Sequence, residues 1–583
     1  MSTPRIGKRF TLAPAAGRKT LEKLKVWKPV CAVFLCLAVM ATVSSAQTFT
    51  ALADFNGTDG ATPEGTVVQG IDGNFYGVAP EGGENYFGAC VDGCGTVFKM
   101  SPSGTLTTLY TFCSETNCAD GQNPYALVEG SDGNFYGTTA GGGSNGKGTV
   151  FELNPPSGLL TQLYSFCSQT NCADGEGPYA AMVEGTDGNL YGTTEYGGAN
   201  GKGTVFTITP SGTLTTLYSF CSASGCADGE SPLAPLVGAT DGNFYGMTDS
   251  GGSSGYGTVF EITPSGTLTT LYSFCSASGC ADGADPYDGL VEGTDGNFYG
   301  MTYEGGANNY GTVFKMTSAG TLTTLYSFCS ASGCSDGANP YYGSLVEGTD
   351  GNFYGTTEDG GANNYGTAFK ITPSGTLKTL YSFDQTDGYY ASGLIQAVSG
   401  AFYGTTADGG ASGDGTVFSL SVGRRPFVEA LPYWGEVGNT VGFLGQGFTS
   451  STTVSFNGTK SPTVKVQSGI YLTATVPSGS STGFVTVTTS GGTLKSNQKF
   501  RVMPQVTSFD PTGGPKGTVV TIGGESFSGA TSVTVGGVKA TSVKVDSYTQ
   551  ITATVPSGAQ TGKITVTTPG GSSTSAGTFT VLE

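Results

Sequence analysis

A phrase of the form Asp-Gly-Asn-Phe-Tyr-Gly returns along this chain at a nearly fixed interval, and no other feature constrains the fold as tightly. Aligned on its tyrosine, the copies fall at Tyr76, Tyr136, Tyr191, Tyr245, Tyr299, Tyr354 and Tyr403, with spacings of 60, 55, 54, 54, 55 and 49 residues. A unit of that length cannot bury its apolar face alone, so the copies must stack on one another. Each unit carries four runs of strand character. Leu322–Phe328 alternates residue types with period two, as a half-buried strand does. Leu345–Gly348 and Asn352–Thr357 are joined through Asp350-Gly351, a strong hairpin signal. Gly366–Thr372 follows, and Pro373-Ser374-Gly375 turns the chain back into the next unit. Four antiparallel strands per unit describe the blades of a β-propeller.

The ends of the array predict how it closes. Thr48–Phe55 matches the last strand of a unit but has no preceding three, and the final unit supplies three strands ending near Leu420. The first strand should therefore complete the last sheet, hiding edges that would otherwise be sticky. The expectation is an all-β chain with a seven-bladed propeller over 47–424.

After Arg424-Arg425-Pro426 a different period begins. Phe448 and Phe527, and Val476 and Val555, are each 79 residues apart within matching phrases such as Ala474–Gly479 and Ala553–Gly558. Short alternating strands at that length predict two immunoglobulin-like β-sandwiches, over 426–502 and 503–583.

The N-terminus reads as a targeting segment. Eight basic residues precede the apolar run Val30–Val43, and Ser44-Ser45-Ala46 follows it, the pattern of a secretory signal peptide over 1–46. The run is short for a membrane span, so retention as an anchor is the rival reading, and no span is expected once it is removed. Lipidation at Cys36 is rejected, because Val33-Phe34-Leu35 is bulky there. The last residues, Phe579–Glu583, carry no sorting motif, which favours release over attachment. Eight of 25 basic and one of 44 acidic residues lie in 1–46, leaving 17 against 43 and a net charge of −26. Such a surface repels phosphate backbones, so nucleic acid is not an expected partner.

The quoted phrases resemble two known families. Leu-Tyr-Ser-Phe, Asp-Gly-Asn-Phe-Tyr-Gly-Thr-Thr and Gly-Thr-Val-Phe-Lys-Ile-Thr are similar to the GloVer tandem repeat of secreted bacterial "choice-of-anchor" proteins, over about 47–420. That resemblance implies a surface or extracellular role and brings no catalytic residues. The two C-terminal copies resemble IPT/TIG domains, which implies extracellular immunoglobulin-like modules.

Twelve cysteines follow residue 46. Cys113/Cys118, Cys167/Cys172, Cys221/Cys226, Cys275/Cys280 and Cys329/Cys334 share one spacing, and Cys90/Cys94 sits in an insertion after Glu84. Where the equivalent loop is short, at Asn56-Gly57-Thr58 and Asp384-Gln385-Thr386, both cysteines are missing together. Partners vanish as pairs, so local disulfides are predicted, and export makes them available. With no histidine, mixed Cys/His zinc sites are excluded.

The same absence removes Ser-His-Asp and Cys-His catalysis. Paired carboxylates remain conceivable at Glu129, Glu184, Glu292 and Glu347, or at Asp120, Asp174, Asp228, Asp282 and Asp336. These recur blade after blade, whereas a catalytic pair needs unlike environments at one place. They are read as turn and hydrogen-bonding residues. Calcium at the Asp-Gly loops is the minority reading, since no unit has the dense ligand spacing of a calcium loop, and metal binding is left open.

Antiparallel order puts the clipped loops and the Gly-Gly-Ala-Asn-Asn-Tyr loops on one face. Candidate ligand-binding residues there are Tyr196, Tyr256, Tyr310, Tyr365, Asn308 and Asn363. Tyrosine offers a rigid plate with a polar tip, though packing between blades would use it equally well. The expected function is a secreted, monomeric, non-catalytic binding or scaffold protein for a glycan or cell-surface protein, without a cofactor. The alternatives are a carbohydrate-active lyase or glycoside hydrolase, betrayed by one blade whose polar residues break the repeat at the central channel, and a plain spacer.

Overall fold

The computed structural model describes residues 47–85, 90–155, 157–341 and 343–582. The leader predicted over 1–46 and part of the insertion after Glu84 lie outside the described residues.

One unit shows how the repeat folds. Val183–Glu184, Leu190–Thr194, Thr204–Ile208 and Leu214–Ser219 form an antiparallel sheet in that order, from the innermost strand outward. Sheets over 68–111, 122–165, 237–273, 291–327 and 346–382 repeat this consecutive order. A further sheet joins the two ends of the array: Thr48–Asp54 pairs antiparallel with Thr416–Ser421, which pairs with Phe402–Asp408. The second strand is buried along its whole length, as Leu190–Thr194 illustrates, because it has a sheet on either side. The outer strand, Leu214–Ser219, is half-exposed and carries the threonines.

The outer strand departs from the simple alternation its sequence suggests. Val205 pairs with Tyr218 and Phe206 with Thr216, so Leu217 is an extra residue in a β-bulge. The equivalent shift occurs in the other sheets of the array. Except for Leu380, each bulged leucine meets the tight turn of the following unit. Gly212 of the Pro-Ser-Gly turn has φ +86°, and a Cβ there would lie 2.6 Å from the carbonyl oxygen of Leu163. Only glycine accepts both that conformation and that approach.

Aromatic rings lock sheet to sheet around a circle. Tyr191 stacks on Phe244 at 4.1 Å, Tyr245 on Phe298 at 4.1 Å, Tyr299 on Phe353 at 3.9 Å and Tyr354 on Phe402 at 4.1 Å. Tyr403 then stacks on Phe75 at 4.0 Å, which brings the last unit against the first. Thr405 Oγ1 also donates to the Gly65 carbonyl at 3.0 Å. The repeat region is therefore propeller-like, closed by side-chain packing and by its own first strand.

Two further pairs of sheets follow. In the first, Glu429–Leu431, Thr440–Leu444, Tyr471–Thr475 and Val464–Val466 face a sheet built on Gly483–Thr489 and Gly492–Met503. In the second, Gln505–Asp510, Val519–Glu525, Gln550–Thr554 and Val543–Ser547 face a sheet built on Ser532–Val535 and Ile564–Thr568. Phe448 and Phe527, and Val476 and Val555, occupy equivalent places in the two cores.

Candidate functional site

Strand order gives each sheet of the repeat region two unlike ends. The Asp-Gly hairpins and Pro-Ser-Gly turns lie at one end, the clipped loops and Gly-Gly loops at the other. Six disulfides close local loops at the second end, Cys90–Cys94, Cys113–Cys118, Cys167–Cys172, Cys221–Cys226, Cys275–Cys280 and Cys329–Cys334.

Beneath each of the five clips other than Cys90–Cys94 lies an aspartate. Asp174 is fully buried; its Oδ2 accepts from the Ser168 amide, the Ser168 hydroxyl and the Tyr164 hydroxyl, each at 2.8 Å. Its Oδ1 accepts from the Gln169 amide at 3.1 Å. Burial works to raise its pKa, yet these donors together hold it below the ordinary carboxylate value. Asp120, Asp228, Asp282 and Asp336 repeat the arrangement. Asp59 and Asp387 serve the loops that lack cysteines. The aspartates organise loops.

The glutamates of the inner strands act as clamps. Glu184 accepts from the Ser131 amide and hydroxyl at 2.8 and 2.6 Å, and Glu292 and Glu347 do the same to Thr240 and Thr294 one sheet back. Gln396 and Gln69 extend the series to Thr349 and Val398. One sheet has Gly238 where the others have a clamp, and there the first sandwich enters. Tyr433 donates to the Gly238 carbonyl at 3.4 Å, and buried Arg501 donates to the Ala239 carbonyl at 2.9 Å. Lys499 reaches the Thr294 carbonyl at 3.3 Å, and Arg424 pairs with Asp350 at 3.1 Å. The hairpin face is thus occupied by the C-terminal part of the chain.

On the opposite face a cavity of about 510 Å³ opens where the clipped loops run into the inner strands. A recurrent Pro-Tyr step delivers its aromatic lining, Tyr125, Tyr179, Tyr287 and Tyr341. Tyr125 and Tyr179 meet edge to face at 4.9 Å, while Tyr287, Tyr303 and Tyr341 form a triad with centroids 4.7 to 5.5 Å apart. Between these plates stand Glu195, Asp249 and Asp288, with Asp285 beside them. Asp249 accepts from the Ser250 hydroxyl at 2.8 Å and bonds Tyr287, but burial dominates and raises its pKa. Burial, with Asp249 and Glu304 nearby, pushes Asp285 up to about 6. Asp288, only 7% exposed, is held well above the carboxylate range by burial, relieved only by the Gly343 amide. Its Oδ2 is buried without a hydrogen-bond partner among the described residues.

Family models match both the repeat region and the C-terminal part of the chain. The Gloeobacter/Verrucomicrobia repeat matches residues 38–170, 88–281, 276–471 and 333–510, overlapping stretches that span most of the chain. The chain belongs to the Gloeobacter/Verrucomicrobia repeat family. An IPT/TIG domain matches residues 504–581, which is the second sandwich, whereas the first falls within the span of the repeat matches. No curated protein matches the chain. Among solved structures, virginiamycin B lyase from Staphylococcus aureus is similar with TM-score 0.43 and 13% identity, covering 64% of this chain and 99% of its own. A fungal alcohol oxidase of the AA5 family in complex with copper has TM-score 0.44 and 12% identity, covering 78% and 98%. TolB from Acinetobacter baumannii has TM-score 0.32 and 11% identity, covering 60% and 66%.

In this Gloeobacter/Verrucomicrobia repeat protein, the loop residues singled out from sequence lie on the clipped face but outside the cavity lining. Tyr196, Tyr256 and Tyr310 are exposed at 42–43%, and Tyr365 packs on Tyr389 with centroids 5.3 Å apart. Asn308 and Asn363 donate to the carbonyls of Phe328 and Phe383 at 2.9 and 3.0 Å, holding their own loops. The Pro-Tyr tyrosines and Asp288 were missed. Asp288 did leave a signal: it follows a Pro-Tyr step where other units have Ala126, Ala180 and Ala234. No helix among the described residues is long and apolar enough to cross a membrane.

Proposed function

We propose that this chain is a secreted, non-catalytic binding protein, a seven-bladed propeller over 47–424 with two IPT/TIG-like sandwiches over 426–502 and 503–583. The leader 1–46 directs export, and the six disulfides suit the oxidising compartment it leads to. The ligand is a glycan or a cell-surface protein, taken by a monomer on the clipped face. One observation carries this reading. The Tyr-lined cavity opens on the face that the sandwiches leave free, and at about 510 Å³ it lies within the roughly 300–1,000 Å³ usual for ligand sites. Tyr196, Tyr256, Tyr310, Tyr365, Asn308 and Asn363 belong to the surrounding rim.

A carbohydrate-active enzyme is the second reading, favoured by one feature. Asp285, pushed up to about 6, stands beside Asp249, which burial also raises, and neighbouring carboxyls with raised pKa can serve as general acids. A glycan array with the secreted chain, read beside reducing-end release from the same glycans, separates the two. Retention without product supports binding. Product release supports the enzyme, and an empty array without turnover leaves only a spacer.

A further inference from the structure

Among the described residues four carboxylates line the cavity, Glu64, Glu195, Asp249 and Asp288, and the last of them is not needed to build the scaffold. The three preceding units pass the same point with Ala126, Ala180 and Ala234, and the next has Tyr342, so Asp288 is a carboxylate at a position where those units carry none. Its Oδ2 remains buried in the cavity wall and unpartnered among the described residues, an expensive state for a carboxyl unless something arrives to pair with it. Asp249 and Asp285, on the adjoining loops, face the same region, and no lysine or arginine among the described residues lines the cavity. With a net charge of −26 after residue 46, the whole surface steers cations toward it.

We propose that this mouth binds an amine-bearing saccharide, its ammonium group held by Asp288 and Asp249 and its sugar rings laid against Tyr287 and Tyr341. This rests on the binding reading above and names its ligand class. A bare hard cation fits less well. Such an ion gathers six to eight oxygens at about 2.3–2.6 Å. Among the described residues, no three carboxylates bring oxygens within 4.8 Å of one another. An ammonium carried on a ring needs only two or three acceptors, and it gains from aromatic faces within about 6 Å. The breadth of the site argues for a sugar over a lysine side chain. Tyr125 and Tyr179 form one plate and the Tyr287 triad another, around a volume larger than one alkyl chain would fill.

Calorimetric titration with a deacetylated glucosamine hexamer, its N-acetylated counterpart and a lysine hexapeptide tests this. The glucosamine oligomer should bind, with the N-acetylated form at least tenfold weaker. Asp288→Asn, nearly isosteric, should weaken the glucosamine oligomer at least tenfold while leaving Tm unchanged or higher. Asp249→Asn provides a second variant should Asp288→Asn fold poorly, with the same tenfold loss expected. Equal affinity for both sugars, or binding unaffected by a folded variant, overturns the ammonium assignment and leaves glycan binding standing. A response to the peptide alone also overturns it. Absence of binding to all three overturns it as well, and the binding reading falls with it only if the glycan array is empty too.

Discussion

Asp282 illustrates how one side chain can set the conformation of a whole loop. Its two oxygens accept from the Ser276 amide and hydroxyl, the Tyr272 hydroxyl and the Ala277 amide, at 2.7 to 3.1 Å. Asp282→Ala removes those hydrogen bonds to a charged acceptor, which costs about 1.5–3 kcal/mol. Urea unfolding should show that loss, and Asp282→Asn, which keeps acceptor capacity, should recover part of it. Glu129 is the opposite case. Among the described residues it receives only the Ile71 amide at 3.3 Å, and its Oε2 is buried without a partner there. Burial foremost, with Glu429, Asp72 and Asp132 facing it, pushes its pKa up to about 8. Glu429, in the first sandwich, is raised by burial to about 7. A carboxyl whose folded pKa exceeds its unfolded value favours folding while protonated. Its contribution is complete below about 4.5 and is lost as pH rises toward about 8. Thermal stability should therefore decline across that window. Glu129→Gln should flatten the decline and raise stability at pH 8 by about 1–3 kcal/mol. A Tm profile for Glu129→Gln that parallels the parent's would refute this.

At the scale of elements, the clipped loop combines a covalent and a polar constraint, and the two can be separated. The loops at Asn56–Asp59 and Asp384–Asp387 keep the aspartate without any cysteine. The polar constraint thus suffices to form a loop when that loop is short. Cys275→Ser with Cys280→Ser should then cost about 2 kcal/mol, the closure entropy of so small a ring, without unfolding the sheet. Denaturant midpoints with and without reductant measure it, and a larger loss would mean the disulfide shapes the loop. Elements of this kind were largely legible in the sequence. Asp-Gly hairpins, Pro-Ser-Gly turns and paired cysteines announce themselves, because each has a local physical cause. The bulge at Leu217 does not, since Thr-Thr-Leu-Tyr keeps an alternating look while pairing shifts by one residue. Nor was the cavity legible. Tyr287 occupies the same repeat position as Tyr125 and Tyr179, and periodic residues look structural until their convergence on an axis is seen. Exposed loop tyrosines such as Tyr256 drew attention by their spacing, but spacing alone carries no information about which side chains point inward.

At the scale of the molecule, the repeat is functional where it fails. Glutamate or glutamine at the end of an inner strand ties each sheet to the one before it, as Glu184 does to Ser131 and Glu292 to Thr240. Gly238 breaks that series, and the gap admits Tyr433 and Arg501 of the first sandwich. Arg501 also donates to the Gly570 carbonyl at 3.3 Å, so a single buried guanidinium holds the repeat region and both sandwiches together. Restoring the repeat should undo that junction. A Cβ at Gly238 would lie 3.6 Å from the Tyr433 hydroxyl, already in contact, so a longer side chain extended that way would press on Tyr433. Gly238→Glu would instead place a carboxylate toward Thr186, completing the clamp at the junction's expense. The repeat region should stay folded or gain slightly, while the sandwiches detach and melt separately. Calorimetry should resolve two transitions where the parent shows stronger coupling, and proteolysis should speed at the connection near Arg424–Pro426. Arg501→Met should loosen the same junction without adding the clamp, so the two variants should share the detachment and differ in repeat-region stability. Were both to leave the calorimetric profile unchanged, the contacts at Gly238 and Ala239 would be incidental to how the chain holds its hairpin face closed and its clipped face open.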